Sequence, residues 1–197
     1  YRCQIITPED LPMEPTAVVS KRFSTRDLVY VAVFTALMAV CAWISIPITV
    51  PFTLQTLGVF LSVGLLGGRR GSLAVLVYLL LGAVGAPVFS GFTGGVGSLV
   101  GTTGGYILGF LLCALTMWAV EAALGRSLPV LGLGMVLGLI VCYCFGTVWY
   151  MILYIQTSGP VSLGTVLGWC VIPFIGPDLI KIALALVLSA RLRRHVA

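Results

Sequence analysis

The sequence predicts an all-α, polytopic membrane protein with six transmembrane helices. The 197 residues are 59% hydrophobic and only 9% charged, whereas a soluble domain carries about 25% charged residues to cover its surface. The mean hydropathy is +1.14. The apolar residues gather into six runs, and the cations between them fall on alternate connections only. No intervening stretch is long and polar enough for a second folded unit. One membrane domain, residues 25–192, is therefore expected between an N-terminal tail, 1–24, and a C-terminal tail, 193–197.

A helix needs about 20 residues to cross the hydrocarbon, fewer where its ends are buried in protein. The first span is expected over 27–46, ending at Pro47. The second and third, 54–66 and 72–85, are short, which places them partly inside the bundle. The fourth, fifth and sixth are expected over 103–124, 129–155 and 169–190. Residues 1–20, with Pro8, Pro12 and Pro15, lack apolar periodicity and read as a poorly ordered tail. They are not a signal peptide, because Lys21, Arg22 and Arg26 follow them instead of preceding an apolar core.

The cations set the expected orientation. Lys21, Arg22 and Arg26 precede span one, Arg69 and Arg70 separate spans two and three, Arg126 separates four and five, and Arg191, Arg193 and Arg194 follow six. The alternate connections, 47–53, 87–102 and 156–168, contain no Lys or Arg. By the positive-inside rule both termini are cytoplasmic, in a multi-pass protein of the cell's inner (plasma) membrane. The net charge of +5 thus reads as membrane orientation, with no nucleic-acid partner implied.

Several chemistries lack their residues. Cys41, Cys113, Cys142, Cys144 and Cys170 lie in apolar surroundings, Cys3 lies in the tail, no C-x-x-C pair occurs, and the only histidine is His195. The cysteines read as small, inert, buried residues. A zinc site or histidine-based catalysis has almost no ligands to draw on. No G-x-x-x-x-G-K-[ST] loop is present, so the usual P-loop ATP hydrolysis is excluded. The glycine steps in 91–105 do not follow a strand and do not read as a dinucleotide site. No catalytic residue, metal or cofactor is expected, and energised uptake requires a partner or an existing gradient.

Two uncharged connections invite a functional reading. One contains Val50-Pro51-Phe52-Thr53-Leu54-Gln55; the other runs from Gly85 through Pro87, Phe89, Ser90, Phe92, Gly94 and Gly95 to Gly104-Gly105-Tyr106. Irregular backbone at membrane depth persists where it is buried in protein or lines a cavity. Glycine allows backbone N–H groups to approach a ligand closely. Tight loop packing is the plainer alternative.

The sixth span carries the strongest signal, Pro173-Phe174-Ile175-Gly176-Pro177-Asp178-Leu179-Ile180-Lys181. An ionisable residue at the bilayer centre costs about 2.5–3.5 kcal/mol on insertion scales and usually marks a substrate or ion path. Pro177 is expected in the first helical turn, which sets Asp178 near a helix N-terminus that favours an anion. At spacing i, i+3, Asp178 and Lys181 share one face. A rise of about 1.5 Å per residue sets Lys181 about 15 Å from Arg191, near mid-membrane. The pair reads as a donor and acceptor for a small polar head on an apolar body. A self-neutralising pair is the structural alternative; a proton relay lacks a histidine or a second acidic residue in the middle of any span. Ala32-x-x-x-Ala36 in the first span and Gly134-x-x-x-Gly138 in the fifth permit close helix approach.

These blocks, over residues 25–192, resemble the BioY family of biotin-specific S-components of energy-coupling factor (ECF) transporters. The residues that carry the resemblance are Val50 to Leu57, Gly85 to Gly95, Gly104-Gly105-Tyr106, and Pro173 to Lys181. Thr102-Thr103 departs from the family's usual Pro-Thr, which is expected to loosen the start of span four without removing the pocket. The resemblance implies a six-helix S-component fold that binds biotin from the outer side, with biotin as transported ligand. It also implies docking onto a transmembrane coupling subunit driven by two cytoplasmic ATPases, with Ala32 and Ala36 as the docking motif. It maps the Asp-x-x-Lys ligand pair onto Asp178 and Lys181.

On that basis Asp178 is expected to accept a ureido N–H and Lys181 to donate to the ureido oxygen, both as charge-assisted bonds. Phe52, Phe89, Phe92 and Tyr106 are expected to wall the rings and arm, with Thr53, Gln55 and Ser90 as further polar contacts. The carboxylate is held either by backbone N–H groups of the 91–105 loop, Gly94 and Gly95 included, or by Lys181, which overturns the ureido assignment. A stand-alone facilitator or secondary transporter is the rival function. A membrane-embedded enzyme lacks an acid–base pair, and a purely structural subunit predicts no vitamin binding.

Overall fold

The structure, a computed structural model, describes residues 24–46 and 50–196. The expected tail 1–23, with Cys3, Lys21 and Arg22, lies outside the described residues, as do positions 47–49 of the first connection. The first helix, α1 (Thr25–Trp43), starts where the Ser24 backbone N–H donates to Asp27 Oδ2 at 3.1 Å. A two-residue hairpin follows, β1 (Ser45–Ile46) antiparallel to β2 (Phe52–Thr53), with Ser45 opposite Thr53 and Ile46 opposite Phe52. The backbone N–H of Leu54 then donates to the Cys41 carbonyl at 3.1 Å, which returns the chain into the bundle.

The next helix, α2 (Gln55–Leu66), is the centre of the molecule: every residue in it except Thr56 is buried. Its 12 residues rise about 18 Å, well short of a hydrocarbon core about 30 Å thick. It survives because α1, α3, α5 and α8 enclose it. Gly58 makes this possible, since a Cβ there meets Met38 Cγ at 3.0 Å. The α2–α3 turn is made by Gly67 at φ +84°, and α3 (Gly68–Ala83) leads back.

From α3 the chain passes through a loop with a short 3-10 turn (Ser90–Phe92), then α4 (Val96–Val100) and α5 (Gly104–Leu124). Helix α6 (Leu128–Ser158) packs antiparallel along α5. Their seam is a ladder of small residues four apart. A Cβ on Gly138 meets the Cys113 carbonyl at 2.9 Å, one on Gly109 meets Cys142 Sγ at 2.9 Å, and one on Gly146 meets the Tyr106 ring at 2.3 Å. Apolar dispersion is available equally from lipid, so such close backbone approach is what selects this pairing. Helix α7 (Leu163–Cys170), N-capped by the Ser162 hydroxyl, and α8 (Ile172–Val196) complete the chain.

Each expected span coincides with a helix: α1, α2, α3, α5, α6 and α8. Among the described residues, four stretches are long and apolar enough to cross a membrane, α1, α5, α6 and Leu163–Arg193. The protein is an all-α multi-pass membrane protein. Four local expectations change. The connections 87–102 and 156–168 contain α4 and α7. Helix α8 continues to Val196, through the segment 193–196 set apart as a tail. Cys144 is exposed on α6, whereas Cys41, Cys113, Cys142 and Cys170 are buried. Pro177 lies inside α8 instead of in its first turn, a place taken by Pro173. Asp178 is therefore almost two turns in, beyond the reach of the helix terminus.

Candidate functional site

The i, i+3 spacing turns Asp178 and Lys181 of α8 toward the start of α2, and both are buried, at 3% and 5% exposure. Their partners come from elements distant in sequence. Lys181 Nζ donates to Asp178 Oδ1 at 2.7 Å, to the Thr53 carbonyl at 2.7 Å and to Thr56 Oγ1 at 3.0 Å. An ammonium has three hydrogens, so all are engaged. The Thr56 hydroxyl, 3.0 Å away, donates to Asp178 Oδ1, and the Tyr143 hydroxyl of α6 donates to Asp178 Oδ2. A carboxylate offers about four acceptor positions; three are filled here.

The hairpin and α2 meet α8 at this network. The β1–β2 pairing holds the Thr53 carbonyl against Lys181, and Phe52 lies with its ring centroid 4.4 Å from Lys181 Nζ. That cation–π contact offsets part of the cost of a desolvated ammonium. Phe52 stacks in turn on Phe174, centroids 6.2 Å apart.

The network closes one wall of a cavity of about 340 Å³. Apolar walls come from Phe89, Tyr106, Phe110 and Phe174, and hydroxyls from Ser90, Thr93, Ser98, Thr102 and Thr103. The Tyr106 hydroxyl pairs with Thr147 Oγ1 at 3.1 Å. The glycine-rich loop covering the cavity is tied down from behind. Gln55 Nε2 donates to the Tyr78 hydroxyl, Tyr78 donates to the Val88 carbonyl at 2.9 Å, and Trp43 Nε1 donates to the Pro87 carbonyl at 2.8 Å. Phe89 is buried at 1% exposure, edge-on to Tyr78 and pressed on Gly82, where a Cβ meets its ring at 2.0 Å.

Of the residues singled out in the sequence, Thr53, Gln55, Phe89, Ser90, Tyr106, Asp178 and Lys181 line this cavity together. Phe52 stands behind Lys181. Phe92 points away: it is 63% exposed, at φ 57°, and stacks on Trp43 with centroids 5.1 Å apart. Gly94 and Gly95 are also off the cavity wall; the Gly95 N–H is engaged by the Gly82 carbonyl at 2.7 Å, and Gly94 abuts the Ala86 carbonyl. Ala32 and Ala36 are exposed on α1 beside Leu28, Val29, Val33 and Val40, whereas Gly134 and Gly138 are buried in the α5–α6 seam. Sequence reasoning missed Thr56 and Tyr143. Their signal was indirect: a buried carboxylate needs more donors than one lysine supplies, and few polar groups in the spans are available.

This fold and site define a class: a membrane-embedded binding protein for a small molecule with a hydrogen-bonding head and an apolar body. The BioY family model matches residues 15–197, and the chain belongs to the BioY family. It is 43% identical to the biotin transporter BioY of Thermotoga maritima over 171 residues, covering 86% of this chain and 96% of that protein. It is 39% identical to a probable biotin transporter BioY of Pyrococcus horikoshii over 169 residues, covering 85% and 96%. Its fold is similar to the crystal structure of the S-component for biotin from an ECF-type ABC transporter. That match has a TM-score of 0.77 and 29% identity, and covers 88% of this chain and 96% of the other.

Proposed function

We propose that this chain is the biotin-binding uptake subunit of an ECF-type vitamin transporter. It captures biotin from the outer side of the plasma membrane and delivers it inward with an ATP-driven coupling module. The observation that carries this is the buried Asp178–Lys181 pair, wired to Thr56 and Tyr143 at the edge of an apolar cavity. The names of the BioY relatives and of the similar crystal structure supply the ligand and the kind of assembly.

The hydrogen-bond arithmetic refines the roles. The remaining acceptor position of Asp178 takes a ureido N–H. Lys181 donates to the ureido oxygen only if one present acceptor gives way, and Thr56 is the candidate, because its hydroxyl is a side chain that can rotate. With Lys181 engaged and the Gly95 N–H bonded to the Gly82 carbonyl of α3, the carboxylate goes to the hydroxyl-bearing residues Ser98, Thr102 and Thr103. Phe89, Tyr106 and Phe174 wall the rings and arm. The positive-inside pattern puts both termini in the cytoplasm, and the exposed Ala32–Ala36 face of α1 docks on the transmembrane coupling subunit that two ATPases drive.

Proteoliposomes test this directly. Labelled biotin is expected to accumulate only when this chain, the coupling subunit, the ATPase pair and ATP are all present. Accumulation by the chain alone without ATP supports the stand-alone facilitator instead.

A further inference from the structure

Helix α6 packs differently on its two sides. Toward α5 it closes on a ladder of glycines, whereas toward α7 it leaves a recess of about 380 Å³. One bank is the row Leu163, Leu167 and Val171, spaced by four along α7 and its C-terminal end. The other is the face of α6 that carries Ile140, Tyr143 and Thr147. Helix α6 is long and apolar enough to cross a membrane, and Tyr143 sets the recess level with Asp178. Ile140 and Leu163 at its rims are 50% and 55% exposed, so it opens sideways at hydrocarbon depth. Its floor is the back of the ligand cavity, because Tyr143 borders both spaces. The Tyr143 hydroxyl is engaged by Asp178 Oδ2, and the Thr147 hydroxyl pairs with the Tyr106 hydroxyl at 3.1 Å. The surface turned toward the recess is therefore apolar.

We infer that this recess holds one acyl chain of a membrane phospholipid, which braces Tyr143 from behind. A polar occupant finds no free hydrogen-bonding group there and loses its own solvation. A second protein helix does not fit. Helix α6 touches α7 and α8 directly, so the gap is narrower than a helix about 10 Å across, whereas a single hydrocarbon chain can enter it. Left empty, the recess deprives the Tyr143 ring of partner atoms on one side and forfeits their dispersion attraction. A chain lying in it restores those contacts and steadies the ring whose hydroxyl holds Asp178. Chain and biotin then tighten each other's binding by the same factor. That coupling rests on the role given to Asp178; the presence of the chain does not.

The test adds phosphatidylcholine, spin-labelled midway along one acyl chain, to the purified protein in detergent after lipid removal. Electron paramagnetic resonance should count one motionally restricted chain per protein. Unlabelled phosphatidylcholine should displace it, and glycerophosphocholine, the same headgroup without chains, should not. Cys144→Trp and, separately, Val148→Trp place a large ring in the recess and should each abolish the restricted signal. Leu80→Trp, on an exposed position of α3, should keep it. Unlabelled phosphatidylcholine should also raise the affinity of wild type for labelled biotin by about tenfold, and both filled variants should reach that affinity without lipid. A restricted chain that persists in both filled variants, or displacement by glycerophosphocholine, overturns the inference. Self-association of wild type that the filled variants abolish, with no restricted chain, assigns the recess to a second copy and also overturns it. A restricted chain with unaltered biotin affinity overturns the bracing of Tyr143. Absence of biotin binding in every sample strikes the biotin assignment instead, and the chain count still decides the recess.

Discussion

Lys181 Nζ lies 2.7 Å from Asp178 Oδ1 on the same face of α8, and both side chains are almost fully buried. Removing one partner of such a pair leaves an uncompensated charge and typically costs about 3–5 kcal/mol, whereas removing both is often neutral. Asp178→Asn and Lys181→Met should each lower the unfolding midpoint in detergent, and the double variant should be more stable than either single one. Additive losses in a double-mutant cycle contradict this.

Tyr143 bridges α6 to α8 through Asp178 Oδ2. Its loss leaves a buried carboxylate short of one donor and free to turn. Tyr143→Phe should fold and weaken labelled-biotin binding by about tenfold, equivalent to about 1.4 kcal/mol. Unchanged affinity removes Tyr143 from the site.

The loop over the cavity is latched by Tyr78 and Trp43. Tyr78→Phe deletes the Gln55–Tyr78–Val88 connection, and a lost buried hydrogen bond costs about 1–3 kcal/mol. Faster dissociation of labelled biotin with a near-normal association rate is the expected outcome in stopped-flow measurements.

Along the α5–α6 seam, a Cβ at Gly138 meets backbone, the Cys113 carbonyl at 2.9 Å, whereas one at Gly132 meets only Leu186 Cδ1 at 3.4 Å. Gly138→Ala should lower the unfolding midpoint, by an overpacking cost of about 1–3 kcal/mol. Gly132→Ala should be near neutral. Equal effects contradict the seam.

Ala32 and Ala36 face outward on α1. Leucine at both positions enlarges an exposed face without touching the cavity. Ala32→Leu/Ala36→Leu should therefore leave biotin affinity unchanged in purified protein and abolish module-dependent uptake in proteoliposomes.

Much of the fold was legible in the sequence because lipid imposes a simple code. Apolar run length gave the six helices, and the runs too short to span, 54–66 and 72–85, proved to be α2, enclosed by its neighbours, and α3. The charged pair was legible because ionisable side chains in a membrane span are rare. Four features were not. Pro177 looks like a helix start, yet Pro173 serves that role and the helix continues through Pro177, since neighbouring helices compensate a missing donor. Tyr143 and Thr56 joined the site through packing between elements more than 30 residues apart, which no local pattern encodes. Phe92 shares a motif with Phe89, but left-handed backbone at Gly91 and Phe92 turns the second ring out onto Trp43. Gly94 and Gly95 carry the signature of ligand-facing N–H groups, while their backbone packs on Ala86 and Gly82.

The central claim is that the α8 pair is kept buried because it holds the head of biotin. Titration of purified wild-type protein with labelled biotin, beside folded Asp178→Asn and Lys181→Met, tests it most directly. Saturable binding by wild type and a loss of at least about a hundredfold in each variant is the predicted result. Full retention of affinity in both variants contradicts it.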